Sequence, residues 1–210
     1  MKKILIIHNK YQNIGGEDIA VENEIEILKK YYKVEVLYFK NDKVLTFKQL
    51  ISFATNNNSE SNNLLKHKIS SFEPDLVYIH NTWFKASLGI FKILEKLDIK
   101  TFIKLHNFRY ICTSTLSSAR HLGGEAFCKA CGYKRKSLML LNTYFVESFF
   151  KSILVLVYGK KYFQILKKGG RNLLVLTDFH KNFIKQIGGF KSDVFVFPNP
   201  INLKPKISKT

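Results

Sequence analysis

Three histidine–asparagine pairs carry the most chemical information in the chain: His8-Asn9, His80-Asn81 and His106-Asn107. Each follows a short apolar run, and Thr177-Asp178, with His180 close behind, follows another. An imidazole titrates near neutral pH and can donate or accept a hydrogen bond, while an amide offers both functions at once. A solitary histidine in such a place is more often structural than catalytic. Three at equivalent positions point instead to a polar ligand cleft, without saying which of them act directly.

Two further groups bear on chemistry. Asn13-Ile-Gly-Gly-Glu-Asp18 lies between an apolar run and an amphipathic one. Gly15 and Gly16 let backbone approach a ligand, and a helix N-terminus there would offer its N–H groups to phosphate. Equally, the segment reads as a tight turn whose Glu17 and Asp18 complement the helix dipole. It is neither Gly-x-Gly-x-x-Gly nor a P-loop. Cys128-Lys-Ala-Cys131 has the two-residue spacing of a zinc knuckle, with Cys112 upstream. A structural zinc site needs four ligands, and His121 is the histidine placed to complete the set. Free thiols are the favoured reading, with no metal and no cofactor expected.

The elements that must position these residues alternate. Lys3–Ile7 is a short aliphatic run of the kind buried on both faces of a sheet, and Val34–Phe39, Leu76–His80, Thr101–Leu105, Leu173–Leu176 and Val194–Phe197 read as further strands. Between them, Val21, Ile25, Leu28 and Tyr32 form one helical stripe, and Ile90, Leu94 and Leu97 another. The spacing predicts helices over Lys43–Phe53 and Leu138–Leu156, and a helix from the N-cap Thr177 to Gly188. The polar run Thr55–Asn63 reads as a surface loop, and His106–Lys136 as an irregular one. This alternation predicts an α/β domain: a Rossmann-like, doubly wound, mostly parallel sheet with helices on both faces. Ligands of such sheets bind at the carboxyl ends of the strands, where the histidines fall.

Composition narrows the setting. The 210 residues carry 34 Lys+Arg against 16 Asp+Glu, a formal charge of +18, and are 46% hydrophobic. That is enough apolar material for a core, so overall disorder is excluded. The charge suits an anionic partner, or reflects lysines scattered singly over a solvated surface. No nucleic-acid reader motif accompanies it, so nucleic acid is not expected. Asn142, Glu147, Ser148 and Lys151 interrupt the most apolar stretch, Leu138–Tyr158, and argue against a spanning helix. Lys134-Arg-Lys136 and Lys160-Lys161 flank that stretch. Its stripe is read as packing on the sheet, with contact to an anionic membrane surface kept as the other reading. A cytoplasmic protein is expected, with peripheral contact at the inner face of the membrane.

Five segments in order carry a resemblance. Asn9-x-Tyr11-x-x-x-Gly15-Gly16-Glu17-Asp18, Pro74-Asp75-Leu-Val-Tyr-Ile-His80-Asn81-Thr82, Leu105-His106-Asn107-Phe108-Arg109-Tyr110-x-Cys112, Thr177-Asp178-Phe179 and Phe197-Pro198-Asn199-Pro200 resemble the N-terminal, acceptor-side domain of family 4 glycosyltransferases of GT-B fold. The resemblance implies that residues 1–199 form one half of a GT-B fold and 200–210 an interdomain linker or tail. The donor-binding C-terminal domain is expected outside this chain. It implies retaining transfer from a nucleotide sugar to a glycan or lipid-linked acceptor in surface polysaccharide synthesis, with this half inactive alone. His106 is then the catalytic residue, and Gly15 and Gly16 approach the donor diphosphate. Asn9, Tyr11, His80, Asn81, Asn107, Arg109 and Thr177 line the substrate cleft. Two other readings of the same fold are a non-catalytic docking module and a self-contained nucleotide enzyme. The latter needs an acidic ribose ligand after the second strand, where Asn41-Asp42 stands.

Overall fold

The computed structural model describes residues 1–11, 14–41, 51–52, 54–108 and 149–200. Six strands form one parallel sheet: β1 (Lys3–Lys10), β2 (Lys33–Lys40), β3 (Leu76–Asn81), β4 (Thr101–Leu105), β5 (Asn172–Val175) and β6 (Val194–Val196). Their spatial order is β2-β1-β3-β4-β5-β6, so the winding reverses between β1 and β3. In an open α/β sheet, that reversal opens the crevice where ligands bind.

Alternation along the strands divides the core into two layers. Ile4 and Ile6 of β1 and Tyr78 of β3 pack with Val21 and Ile25 of α1 (Gly16–Leu28). Their neighbours Leu5, Ile7, Val77, Ile79, Ile103 and Leu105 face the other way. There they meet Leu65 of α2 (Ser59–Phe72), Ile90 and Leu94 of α3 (Gly89–Lys96), Tyr158 and Leu166 of α4 (Phe149–Lys167), and Ile184 of α5 (Asp178–Ile187). Helices therefore cover both faces of the sheet, as the sequence pattern predicts.

Several boundaries differ from the sequence reading. Polar residues do not end β1 at Ile7, because His8, Asn9 and Lys10 continue the ladder opposite Tyr38, Phe39 and Lys40. The polar run after Thr55 is not a loop throughout. Asn58 caps α2 by accepting from the Ser61 N–H (3.2 Å), and Ser61 is fully buried with its hydroxyl donating to the Lys85 carbonyl (2.6 Å). Asparagine and serine are poor inside helices but good where helices start, so a polar run can announce one. The helix expected to end at Leu156 continues to Lys167, through Lys160 and Lys161. Tyr158, Tyr162, Phe163 and Leu166 prolong its buried stripe, which packs on the sheet. Helix α5 keeps its expected limits. Thr177 Oγ1 accepts from the His180 N–H (3.2 Å), and Gly188 closes the helix at φ +70°, a conformation that favours glycine. The predicted helix at Lys43–Phe53, the first part of that at Leu138–Leu156 and most of the loop His106–Lys136 lie outside the described residues.

Candidate functional site

The side-chain alternation that points Ile4, Ile6 and Tyr78 at α1 also points His8, His80, Lys104 and, one step past β4, His106 to that side. The rings converge there. His8 and His80 stand edge to face with centroids 6.2 Å apart, and His80 and His106 stack at 5.3 Å. His80 Nδ1 and His106 Nε2 share a hydrogen bond of 3.0 Å. Helix α1 lies over the group and supplies its acids. Asp18 Oδ1 is 2.8 Å from His8 Nε2, and Glu24 Oε2 is 3.8 Å from His80 Nε2. Glu24 accepts from the Tyr78 hydroxyl (2.6 Å) and from the Lys104 ammonium, and both Glu24 and Lys104 are buried.

Burial governs the charge state of the rings. It pushes His8 below its ordinary value in spite of Asp18, and His80 well below. Burial, reinforced by the Lys104 charge, brings His106 down to about 3. Near neutral pH these are uncharged imidazoles that donate and accept hydrogen bonds. Lys104 is itself pulled down by burial, an effect its Glu24 partner opposes. Burial alone would raise Asp18, but the N–H groups of Gly15 (2.8 Å) and Tyr11 (3.5 Å), together with His8, hold it below the usual carboxylate range.

A small recess, open to solvent, runs along this edge of the sheet. His80, Asn81, His106 and Asn107 line it, with Lys104 beneath and Glu17, Trp83 and Tyr162 at its walls. Four of the expected site residues are thus brought together. Five others stand elsewhere. The Asn9 carboxamide donates to Asn41 Oδ1 (3.2 Å) and accepts from the Ala86 N–H (3.1 Å). Tyr11 donates its hydroxyl to Glu17 (2.9 Å), and Thr177 caps α5. Gly15 is the N-cap of α1, its N–H engaged by Asp18, whereas Gly16 has open space where a side chain would stand. Asn81 serves the fold as well as the recess: it donates to the Asn9 carbonyl (2.9 Å) and accepts from the Trp83 N–H (3.0 Å). Asn41, which precedes the acidic candidate Asp42, accepts from the N–H groups of Phe84 and Lys85 (3.0 Å each) and so holds the loop between β3 and α3.

Arg109, Cys112, His121, Cys128, Cys131 and Asp42 lie outside the described residues. Among the described residues, no group of three or more histidine, cysteine or acidic side chains is arranged to hold a metal ion. Glu24, Lys104 and Tyr78 went unrecognised at the level of sequence. The available signal was a lysine inside Thr101–Leu105, an otherwise buried strand, and a glutamate beside Ile25 on the apolar stripe of α1. Two opposite charges on surfaces that must both be buried will seek each other.

No protein-family model matches the sequence, and no curated protein matches it. Among solved structures, the chain is similar to Phytolacca americana UGT2, determined with UDP-2fluoro-glucose and pterostilbene. The TM-score is 0.50 at 12% identity, over 96% of this chain and 54% of that one. The likeness shows the fold, an α/β Rossmann-like half of a GT-B architecture, and the chain spans about half the length of that protein. Among the described residues, no helix is long and apolar enough to cross a membrane.

Proposed function

We propose that this chain is the acceptor-side half of a glycosyltransferase. A second Rossmann-like domain binds a nucleotide sugar against the carboxyl edge of the sheet. The observation that carries the reading is the recess itself. Neutral, hydrogen-bonding His106, with Asn107 beside it and the buried His80 behind it, lines the recess at the strand ends of a fold shared with a nucleotide-sugar enzyme. Such a surface suits the hydroxyl groups of a glycan or lipid-linked acceptor. His106 contacts the transferred sugar or the acceptor. Gly16 leaves room for a diphosphate to approach the first turn of α1, and cations of the second domain stabilise the departing diphosphate in a retaining transfer. Surface polysaccharide synthesis at the inner face of a membrane accords with the +18 charge.

The test is transfer by this chain joined to a donor-binding domain, with a panel of nucleotide sugars. His106→Ala is expected to lower turnover at least about 100-fold without lowering the thermal midpoint. Unchanged turnover removes His106 from the site. Absence of transfer under every combination favours a docking module instead.

A further inference from the structure

The hydrogen bond between His80 Nδ1 and His106 Nε2 has one proton and two ways of placing it. The surroundings choose between them. His80 Nε2 faces Glu24 Oε2 at 3.8 Å, and that carboxylate is held in place by the Tyr78 hydroxyl and the Lys104 ammonium. A carboxylate attracts an N–H and repels a lone pair, so it draws the His80 proton to Nε2. His80 Nδ1 is then the acceptor, His106 Nε2–H is the donor, and His106 Nδ1 carries a lone pair. Among the described residues, that buried Nδ1 atom meets no hydrogen-bond partner.

We infer that Glu24 and His80 are positioning residues that lock His106 in its Nε2–H form, which keeps its Nδ1 a hydrogen-bond acceptor, the form that suits a hydroxyl and not an anion. The inference concerns the recess of the proposed transfer reaction and rests on that reading only where activity is the readout. The charged and titratable groups that act on His106 are Lys104 and His8, besides His80. Lys104 disfavours a second proton on the ring, which keeps His106 an acceptor. Its low proton affinity, about 3 from burial first and then Lys104, agrees with this.

The full chain labelled with 15N-histidine provides the test, through the ring nitrogen shifts of His106 near neutral pH. Wild type is expected to show a protonated Nε2 and an unprotonated Nδ1. In Glu24→Gln the amide N–H can face His80 Nε2, reverse the relay and move the His106 proton to Nδ1. A wild-type Nδ1–H form overturns the inference, as does a folded Glu24→Gln chain with the tautomer unchanged. If Glu24→Gln fails to fold, the wild-type spectrum alone decides. Pyrophosphate is expected to leave the His106 shifts in place, and protonation of Nδ1 on adding it overturns the inference.

In a two-domain enzyme, Glu24→Gln should lower kcat roughly 10- to 100-fold, the scale on which orienting partners of a functional histidine act, with KM little changed. A loss confined to KM contradicts the positioning role. The predicted tautomer in a chain that supports no transfer would uphold the relay and overturn the glycosyl-transfer reading. Transfer with His106 in the Nδ1–H form would do the reverse.

Discussion

At the scale of single residues, the site shows how burial changes what a side chain can do. Histidines at strand ends suggest ionisable groups, yet His8 and His80 have almost no contact with water, and their positive forms are correspondingly disfavoured. His180, its ring tilted against Phe108 with centroids 4.1 Å apart, is likewise pushed by burial down to about 4. Each of these groups binds a proton more readily in the unfolded chain, where its value is near 6.5. Their contribution to stability is therefore complete above pH 6.5 and is lost as pH falls from there, for His180 down to about pH 4. Each histidine can cost up to about 1.4 kcal/mol per pH unit in that window. Asp18, held low in the fold, adds to the loss below its ordinary value of 3.8. The urea midpoint is expected to fall markedly between pH 7 and pH 4.5. An unchanged midpoint contradicts the buried, neutral state of these rings.

At the scale of elements, α1 does more than cover β1 and β3. Asp18, Val21, Glu24 and Ile25 recur at three- and four-residue spacing, so one face of the helix brings two acids and two apolar residues to the sheet. Asp18 joins three tasks: it caps the helix through Gly15, complements the dipole at the first turn and holds His8. Asp18→Ala removes the cap and strands His8 Nε2, and a loss of about 2 kcal/mol is expected in chemical denaturation. A loss below a few tenths would mean that water replaces all three contacts. On the opposite face, the Tyr158 hydroxyl of α4 donates to the Thr82 carbonyl at 2.7 Å and ties that helix to the loop behind the recess. Residues in that loop, Trp83 among them, wall the recess, so α4 positions the site from a distance.

At the scale of the whole molecule, strand order decides where the chemistry gathers. With β1 beside β3 and β3 beside β4, three segments separated in sequence by dozens of residues end at one edge, with His8, His80 and His106 in a row. Most of the apolar core lies beneath α2 to α5, while the polar cluster lies under α1. A ligand at this edge meets one Rossmann-like unit only, and tight donor binding under the proposed function takes two. Nucleotide sugars are therefore expected to leave the thermal midpoint of this chain alone unmoved. With the donor-binding domain supplied, saturation at 100 times Kd should add about 2.7 kcal/mol to stability. A clear shift with the isolated chain would mean that this half holds much of the donor site, and a shift with dinucleotides alone would favour a self-contained nucleotide enzyme.

Much of this architecture is legible in the residues alone. Short apolar runs announce the strands, most plainly the central β1 and β3, where cover on both faces leaves little room for alternation. The helical stripes, the Thr177 cap and the Gly188 stop are local signals and can be read locally. His80 and His106 can likewise be placed near the carboxyl ends of β3 and β4 from the strand pattern alone. Polar chain that pairs or caps is harder to read. His8 to Lys10 remain in β1 because β2 lies alongside, and Ser59 to Asn63 become helix because Asn58 and Lys85 satisfy their polar groups. The site's electrostatics are wholly tertiary. Glu24 and Lys104 are 80 positions apart and His80 and His106 are 26 apart. Whether a lysine, an acid or an imidazole is charged depends on the partner and the solvent it meets, and only the packed sheet brings those partners together.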